Sequence, residues 1–255
     1  MAKTPSNDRA AKAKKQLKAH QRAERRGSFM IVGVCGVVAL LIVAAAAYRP
    51  VMNWWELRQF NDIDLASIGE PADTCSPEQV LAATGNQDHQ DDGDITYETS
   101  PAIFGPHRSV PAPMERKFYG WDEAPEVEQL VHNLEHGYTF LWYDQTAWED
   151  EEMMDEIRGI ASKLKGTDNF RLKFKAAPWK GEEDGGTAFP EGQHIAIAHW
   201  ASSAEPAVGE APEDLPEEGD SGFGVVQYCS APSGEALEDF MLRWPYTNSW
   251  EPNAM

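Results

Sequence analysis

Apolar positions change their spacing along this chain, and each spacing points to an element. The first is a run without a charged residue, FMIVGVCGVVALLIVAAAAY, from Phe29 to Tyr48. Its 20 positions, at roughly 1.5 Å rise per residue, reach about 30 Å as a helix, which is one hydrocarbon thickness and predicts a transmembrane helix over 29–48. Farther on, Val127, Leu130, Val131 and Leu134 fall at i, i+3, i+4 and i+7, with Asp122 and Glu123 ahead of them and Gly137 behind, the pattern of a short amphipathic helix. It runs into YTFLWY, Tyr138 to Tyr143, apolar on both alternating faces and therefore predicted as a strand covered on both sides. Met153, Ile157, Ile160, Ala161 and Leu164 predict a second amphipathic helix ending at Gly166, followed by an alternating strand from Arg171 to Phe174. His194 to Trp200 reads as another strand, and Ser233 caps a last helix carrying Leu237, Phe240, Met241 and Trp244. This order of elements predicts a single layered domain of the α/β or α+β class, a central sheet with flanking helices. From Glu70 to Trp121 no period is sustained, and long irregular stretches inside compact domains are often functional.

Charge divides the chain at the apolar run. Met1 to Phe29 carry nine Lys or Arg against two acids, a net +7, which leaves −27 for the remainder of a chain whose total is −20. Basic residues crowd one flank while the other offers Arg49 and then Trp54 and Trp55, so the positive-inside rule places the N-terminus in the cytoplasm. The rival reading is a signal peptide cleaved near Ala45 to Ala47, but the apolar run exceeds the ~7 to 15 residues of a signal core, and either reading exports the main domain. The expected organisation is a basic cytoplasmic tail at 1–28, the single-pass membrane helix at 29–48, a juxtamembrane segment at 49–69 and an extracytoplasmic domain at 70–255. Within that domain the acidic, Pro- and Gly-rich stretch 205–220 reads as a flexible surface loop. Its partners are the lipid bilayer through 29–48 and a membrane protein met by Trp54, Trp55 and Arg58, unless those residues form only an interface belt. So acidic an outer part excludes nucleic acid and adhesion to anionic lipid. Cys75 and Cys229 are the two cysteines outside the apolar run and are expected to form a disulfide in an oxidising compartment, with Cys35 a small buried residue of the span.

Candidate chemistry lies in histidine. His132 and His136 stand four apart on the first amphipathic helix, about 6 Å apart at Cβ, a spacing suited to two ligands of one metal. They fall roughly 150 to 170° from the apolar stripe, so they are either surface residues or covered by another segment, for which the irregular stretch carrying His89 and His107 is the candidate. HNLEH also fits the H-x-x-E-H pattern of inverted zinc peptidases, but a helix stopping at Gly137 and turning at once into a core strand argues against that reading, and Glu135 is expected to orient a histidine or be solvated. No nucleophile elbow, phosphate loop or redox-spaced cysteine pair is present, so no enzyme class is indicated.

FGPHRSVPAP, Phe104 to Pro113, with LVHNLEHGYTFLWYD, Leu130 to Asp144, resembles the family catalogued as domain of unknown function 3105, common in actinobacterial membrane-anchored proteins. The likeness covers about Gly85 to Asp144. In that family a histidine precedes a Tyr-containing segment, then Gly-Pro-His, then HN-x-EHG, and His89, His107, His132 and His136 occupy those places here. SPAIFGPH, Ser100 to His107, departs from the family's usual Pro-Pro-Thr-Ser-Gly-Pro-His. The resemblance implies a membrane-tethered external domain with a histidine-rich site and no established reaction. The four histidines are then the expected ligands of a transition metal, copper or zinc, with Met114 as a conceivable soft ligand and His194 and His199 left as strand residues. The alternative is a non-catalytic accessory or structural subunit of an envelope or respiratory membrane complex, in which buried imidazoles only brace the fold.

Overall fold

The computed structural model describes the backbone of residues 5–212 and 214–255, and along the first helix only some of the side chains. Expectations resting on residues 1–4, on Glu213 of the acidic stretch, and on the side chains of Arg9, Arg25, Arg26, Phe29 and Trp54 lie outside the described residues. The chain divides into two units, Met1–Glu56 and Leu57–Met255.

The first unit is helical. Helix α1, Pro5–Leu57, takes in the whole apolar run. Among the described residues no helix is long and apolar enough to cross a membrane. The expected transmembrane helix is thus without support from the structure. Cys35, expected to be buried, is exposed and free, as are Leu40, Leu41 and Ile42 around it, because nothing described within this unit covers them.

In the second unit a five-stranded sheet carries the fold. Its strands are β1 (Gln79–Ala82), β2 (Thr139–Tyr143), β3 (Phe174–Pro178), β4 (Ile195–Ala201) and β5 (Phe223–Cys229), in the order β1-β5-β4-β2-β3. All neighbours are antiparallel except β2 and β3, which are parallel. A parallel pair needs a crossover, and α3 (Gln145–Glu149) and α4 (Glu151–Lys163) supply it. Asp144 and Asp150 start these helices by accepting hydrogen bonds from Ala147 N and Met153 N. As the pattern of YTFLWY predicts, β2 is buried throughout and lies between two neighbours.

Alternation along the strands separates two cores. Leu141 and Tyr143 of β2 and Ile195 and Ile197 of β4 face one core, with Met154, Ile157 and Ile160 of α4 and Leu237, Phe240 and Trp244 on or just after α5 (Gly234–Arg243). Phe140, Trp142, Ala196, Ala198 and Trp200 face the other, against Val127, Leu130, Val131 and Leu134 of α2 (Val127–Glu135) and the irregular segment holding Ile95, Tyr97, Ile103 and Phe104. Phe60 and Ile68, within the stretch expected as juxtamembrane, are buried in the first of these cores.

Several elements differ from the sequence expectation. Helix α2 begins after Glu126 without a side-chain cap, and the Glu126 carboxylate accepts from Arg108 at 2.9 Å. The strand expected from Arg171 starts instead at Phe174, after a tight 3₁₀ turn at Phe170–Leu172. Polar alternation misled here: Lys173 and Lys175 are buried, their ammonium groups held by backbone carbonyls, so polar positions do not mark the solvent face. Strand β5, unpredicted, lies inside the sheet between β1 and β4. The acidic stretch is irregular and mostly exposed, yet Arg243 ties it down by donating to the Val208 and Glu210 carbonyls.

Cys75 and Cys229 form the expected disulfide, joining the segment before β1 to the end of β5 across 154 residues. In the chain-entropy view this closure is worth on the order of 4 to 5 kcal/mol. Cys75→Ser with Cys229→Ser is expected to lower the unfolding free energy by about that amount, read from urea denaturation, while reductant leaves the double variant unchanged.

Candidate metal centre

Helix α2 shows the core its apolar stripe and turns His132, Asn133, Glu135 and His136 elsewhere. All four are nevertheless buried, because two irregular segments lie across them. The first carries the Gly-Pro-His turn. Arg108 N donates to Glu128 O, and the Asn133 side chain both accepts from Ala112 N at 3.1 Å and donates to Ala112 O at 2.9 Å, so an amide side chain does the work of a strand partner. His89 and His107 are themselves paired in a one-residue parallel bridge, with Gln90 N donating to His107 O at 2.8 Å. Arg108 fastens this pairing by donating to the Gln90 and Gly93 carbonyls and to Glu126. The second segment, following α5, crosses the end of α2: Glu251 N donates to Glu135 O, and Lys173 donates to the carbonyls of His136, Pro252 and Ala254.

These contacts bring His89, His107, His132 and Glu135 together with one potential ligand atom from each, all within 4.8 Å of one another. A single ion with bonds of ~2.0 to 2.2 Å holds its donors within about 4 Å, so small side-chain rotations close the set. His136 stands beside the group rather than in it. Its Nε2 is 2.9 Å from His132 Nε2 and 3.3 Å from Glu251 Oε2, and it falls in a second, overlapping group of Glu135, His136 and Glu251. Glu135, expected to orient a histidine or be solvated, is buried among the ligands. Met114 packs in the second core, His199 is buried in β4, and His194 pairs with Asp144 at 2.9 Å, so none of these joins the group.

Backbone carbonyls set the protonation of the rings. His107 Nδ1 lies 2.9 Å from Gly105 O, His132 Nδ1 2.6 Å from Arg108 O and His136 Nδ1 3.1 Å from Met255 O. A carbonyl can only accept, so each Nδ1 carries the proton, and a ring in its neutral form presents its lone pair at Nε2. This is the arrangement of metal-bound histidine, whose distal N–H is held by an outer acceptor. His107 Nε2 lies 3.1 Å from Glu135 Oε2, within ion-pair reach, yet it is off line for a hydrogen bond and has no hydrogen-bond partner. We take this lone pair as uncommitted, since angle as well as distance decides a hydrogen bond. A buried lone pair this close to a carboxylate oxygen is what a cation beside both would relieve.

Electrostatics point the same way. Burial lowers the pKa of His132, and burial together with the neighbouring His132 pushes His136 down to about 4, so both rings are neutral at pH 7. Burial alone would raise Glu135, but the His107 contact and the charge that surrounding imidazoles can take outweigh it and hold the carboxyl below its ordinary value. Two neutral imidazoles beside one carboxylate favour a cation.

Fold and site together define an α/β domain with a buried histidine and glutamate group able to hold a metal ion. Residues 89–178 match the family model described as a protein of unknown function (DUF3105), a stretch that begins at His89, contains His107 and all of α2, and ends with β3. No curated protein and no solved structure matches the chain.

Glu135 was reachable from sequence, since it sits three residues from His132 and therefore on the same helix face. Glu251 gave no such signal.

Two outcomes follow from this geometry. His132 and His136 have folded pKa values below the ~6.5 of an unfolded histidine, so the unfolded chain takes up their protons first. Their contribution to stability is full above about 6.5 and is lost as pH falls, down through about 4 for His136. Imidazole NMR resonances of the metal-free protein are expected to titrate below the free-histidine range for both, and a midpoint at or above it for either would contradict the burial described. At Gly137, φ is +85° and an added Cβ would come 2.5 Å from Tyr246 O and 2.6 Å from Ser249 Oγ. Gly137→Ala is therefore expected to destabilise the domain by more than about 1 kcal/mol in urea unfolding.

Proposed function

We propose that this domain binds a transition metal ion through His89, His107, His132 and Glu135, and that it stores, delivers or senses that ion without catalysing a reaction. One observation carries the reading: His107 and His132 have their Nδ1 protons committed to backbone carbonyls while their Nε2 atoms converge with a buried carboxylate. In a purely bracing role the carbonyl bonds would be useful, but the uncommitted Nε2 of His107 beside Glu135 would have no purpose. Three imidazoles and one carboxylate suit zinc or copper(II). With His89 half exposed, the group has an approach from solvent, as a site that loads and unloads requires.

The same proposal places the domain outside a membrane to which α1 tethers it. In support, apolar side chains along 32–48 are exposed around the helix, basic residues precede them, and the Cys75–Cys229 disulfide suits an oxidising compartment. A lone pair that binds metal must first be free of its proton, so affinity falls as pH drops.

Full-length protein stripped with a chelator and titrated with Zn²⁺ is expected to bind at least one ion per chain. His107→Ala and His132→Ala each remove a ligand and are expected to weaken binding by a hundredfold or more, whereas His194→Ala leaves it unchanged. Elemental analysis and titration finding no bound ion would return the four histidines to the role of struts.

A further inference from the structure

We propose that the site takes two cations rather than one, with Glu135 shared between them and His136 and Glu251 completing the second position. The inference rests on the metal-binding reading above and extends it to the residues that reading leaves over.

His136 is the first of these. Its Nδ1 is occupied by Met255 O, so its Nε2 lone pair faces His132 Nε2 at 2.9 Å. Two neutral rings whose protons are both placed on Nδ1 cannot hydrogen bond to each other through Nε2, and at that distance their lone pairs repel. An ion bound by His132 in the first group relieves only one of the two. His136 then needs an electrophile of its own, and the atoms around it offer a place for one. Glu251 Oε2 lies 3.3 Å from His136 Nε2, and Glu135, His136 and Glu251 place a ligand atom each within 4.8 Å of one another.

Glu135 belongs to both groups. A carboxylate has two oxygens, and one bridging carboxylate is a common way to hold two cations about 3.5 to 4 Å apart. The two positions divide the donors reasonably: three imidazoles and the shared carboxylate for the first, one imidazole and two carboxylates for the second. Four positive charges from two divalent ions then face two carboxylates, with water or hydroxide left to complete each sphere. Lys173 is a positive charge felt at His136, but its ammonium is turned toward three backbone carbonyls, those of His136, Pro252 and Ala254. Those same bonds, with Glu251 N donating to Glu135 O, hold the segment that delivers Glu251, so the second carboxylate is positioned by the fold although its side chain is half exposed.

The second position has fewer ligands and fewer buried ones, so it should fill after the first. That makes the second ion the more readily exchanged of the two.

The full-length chain, stripped with a chelator, tests this with two probes. Equilibrium dialysis against Zn²⁺ with elemental analysis is expected to reach two ions per chain, and Glu251→Gln, which keeps shape and the backbone bond to Glu135, is expected to reach one. With Cu²⁺, the integrated electron paramagnetic resonance signal is expected to rise over the first equivalent and fall over the second, because ions sharing a carboxylate couple magnetically. In Glu251→Gln the signal of the bound ion should rise over the first equivalent and not fall. Saturation at one Zn²⁺ in both proteins would overturn the second position and leave the single-ion reading standing. Two copper ions with simply additive signals would overturn the shared Glu135, and no bound ion in either protein would overturn both readings together.

Discussion

The structure turns on how the buried polar face of α2 is satisfied. A helix of nine residues with one apolar stripe would normally give its other side to water, yet His132, Asn133, Glu135 and His136 are all shielded. Burying such groups is costly unless each finds a partner. Asn133, His132 and His136 find theirs in the backbone, and Glu135 lies against the His89 and His107 rings. The Asn133 amide completes the hydrogen bonds of Ala112, and the imidazoles give their Nδ1 protons to Arg108 and Met255 carbonyls. Side chains thereby substitute for a second strand, which lets segments with no regular structure pack as closely as a sheet.

Buried lysines extend the same solution. Lys117, Lys173 and Lys175 are buried around Tyr138, and each ammonium donates to main-chain carbonyls: Leu172 for Lys117, three carbonyls for Lys173, and Pro113 and Arg116 for Lys175. Burial lowers their pKa, to about 8 for Lys117 and Lys173 and about 7 for Lys175. Faces of the Tyr138 and Tyr119 rings stand under these amines at 5.2 to 5.9 Å and add a weak attraction to the hydrogen bonds. Lys173 links the two themes, since one of its carbonyls belongs to His136 and the other two to the segment that brings in Glu251.

Placement on the sheet explains why the site is rigid on one side and open on the other. Helix α2 rests its stripe on the face made by Phe140, Trp142, Ala198 and Trp200, and the His107 ring meets Trp200 edge-on at 6.0 Å. His107 and His132 are accordingly fixed and enclosed, while His89 reaches in from a half-exposed position.

Much of the fold was legible in the chain because its causes are local. The periodicity of Val127, Leu130, Val131 and Leu134, the Ser233 cap and the unbroken apolar character of YTFLWY each depend on neighbours a few residues away, and each appears in the structure as read. Strand β3 was misplaced and β5 missed because burial of Lys173 and Lys175 and the mixed composition of FGVVQYC depend on what packs above them. The histidines were visible as a sequence cluster, and the four-residue spacing of His132 and His136 put them on one helix face. Sequence by itself singled out the four histidines as possible ligands and put two of them on one helix face. Only tertiary structure decided that Glu135 joins them, that His136 turns to Glu251, and that the Gly-Pro-His turn brings His107 to His132. Those outcomes depend on hydrogen bonds between segments tens of residues or more apart, and no local spacing encodes where such segments meet.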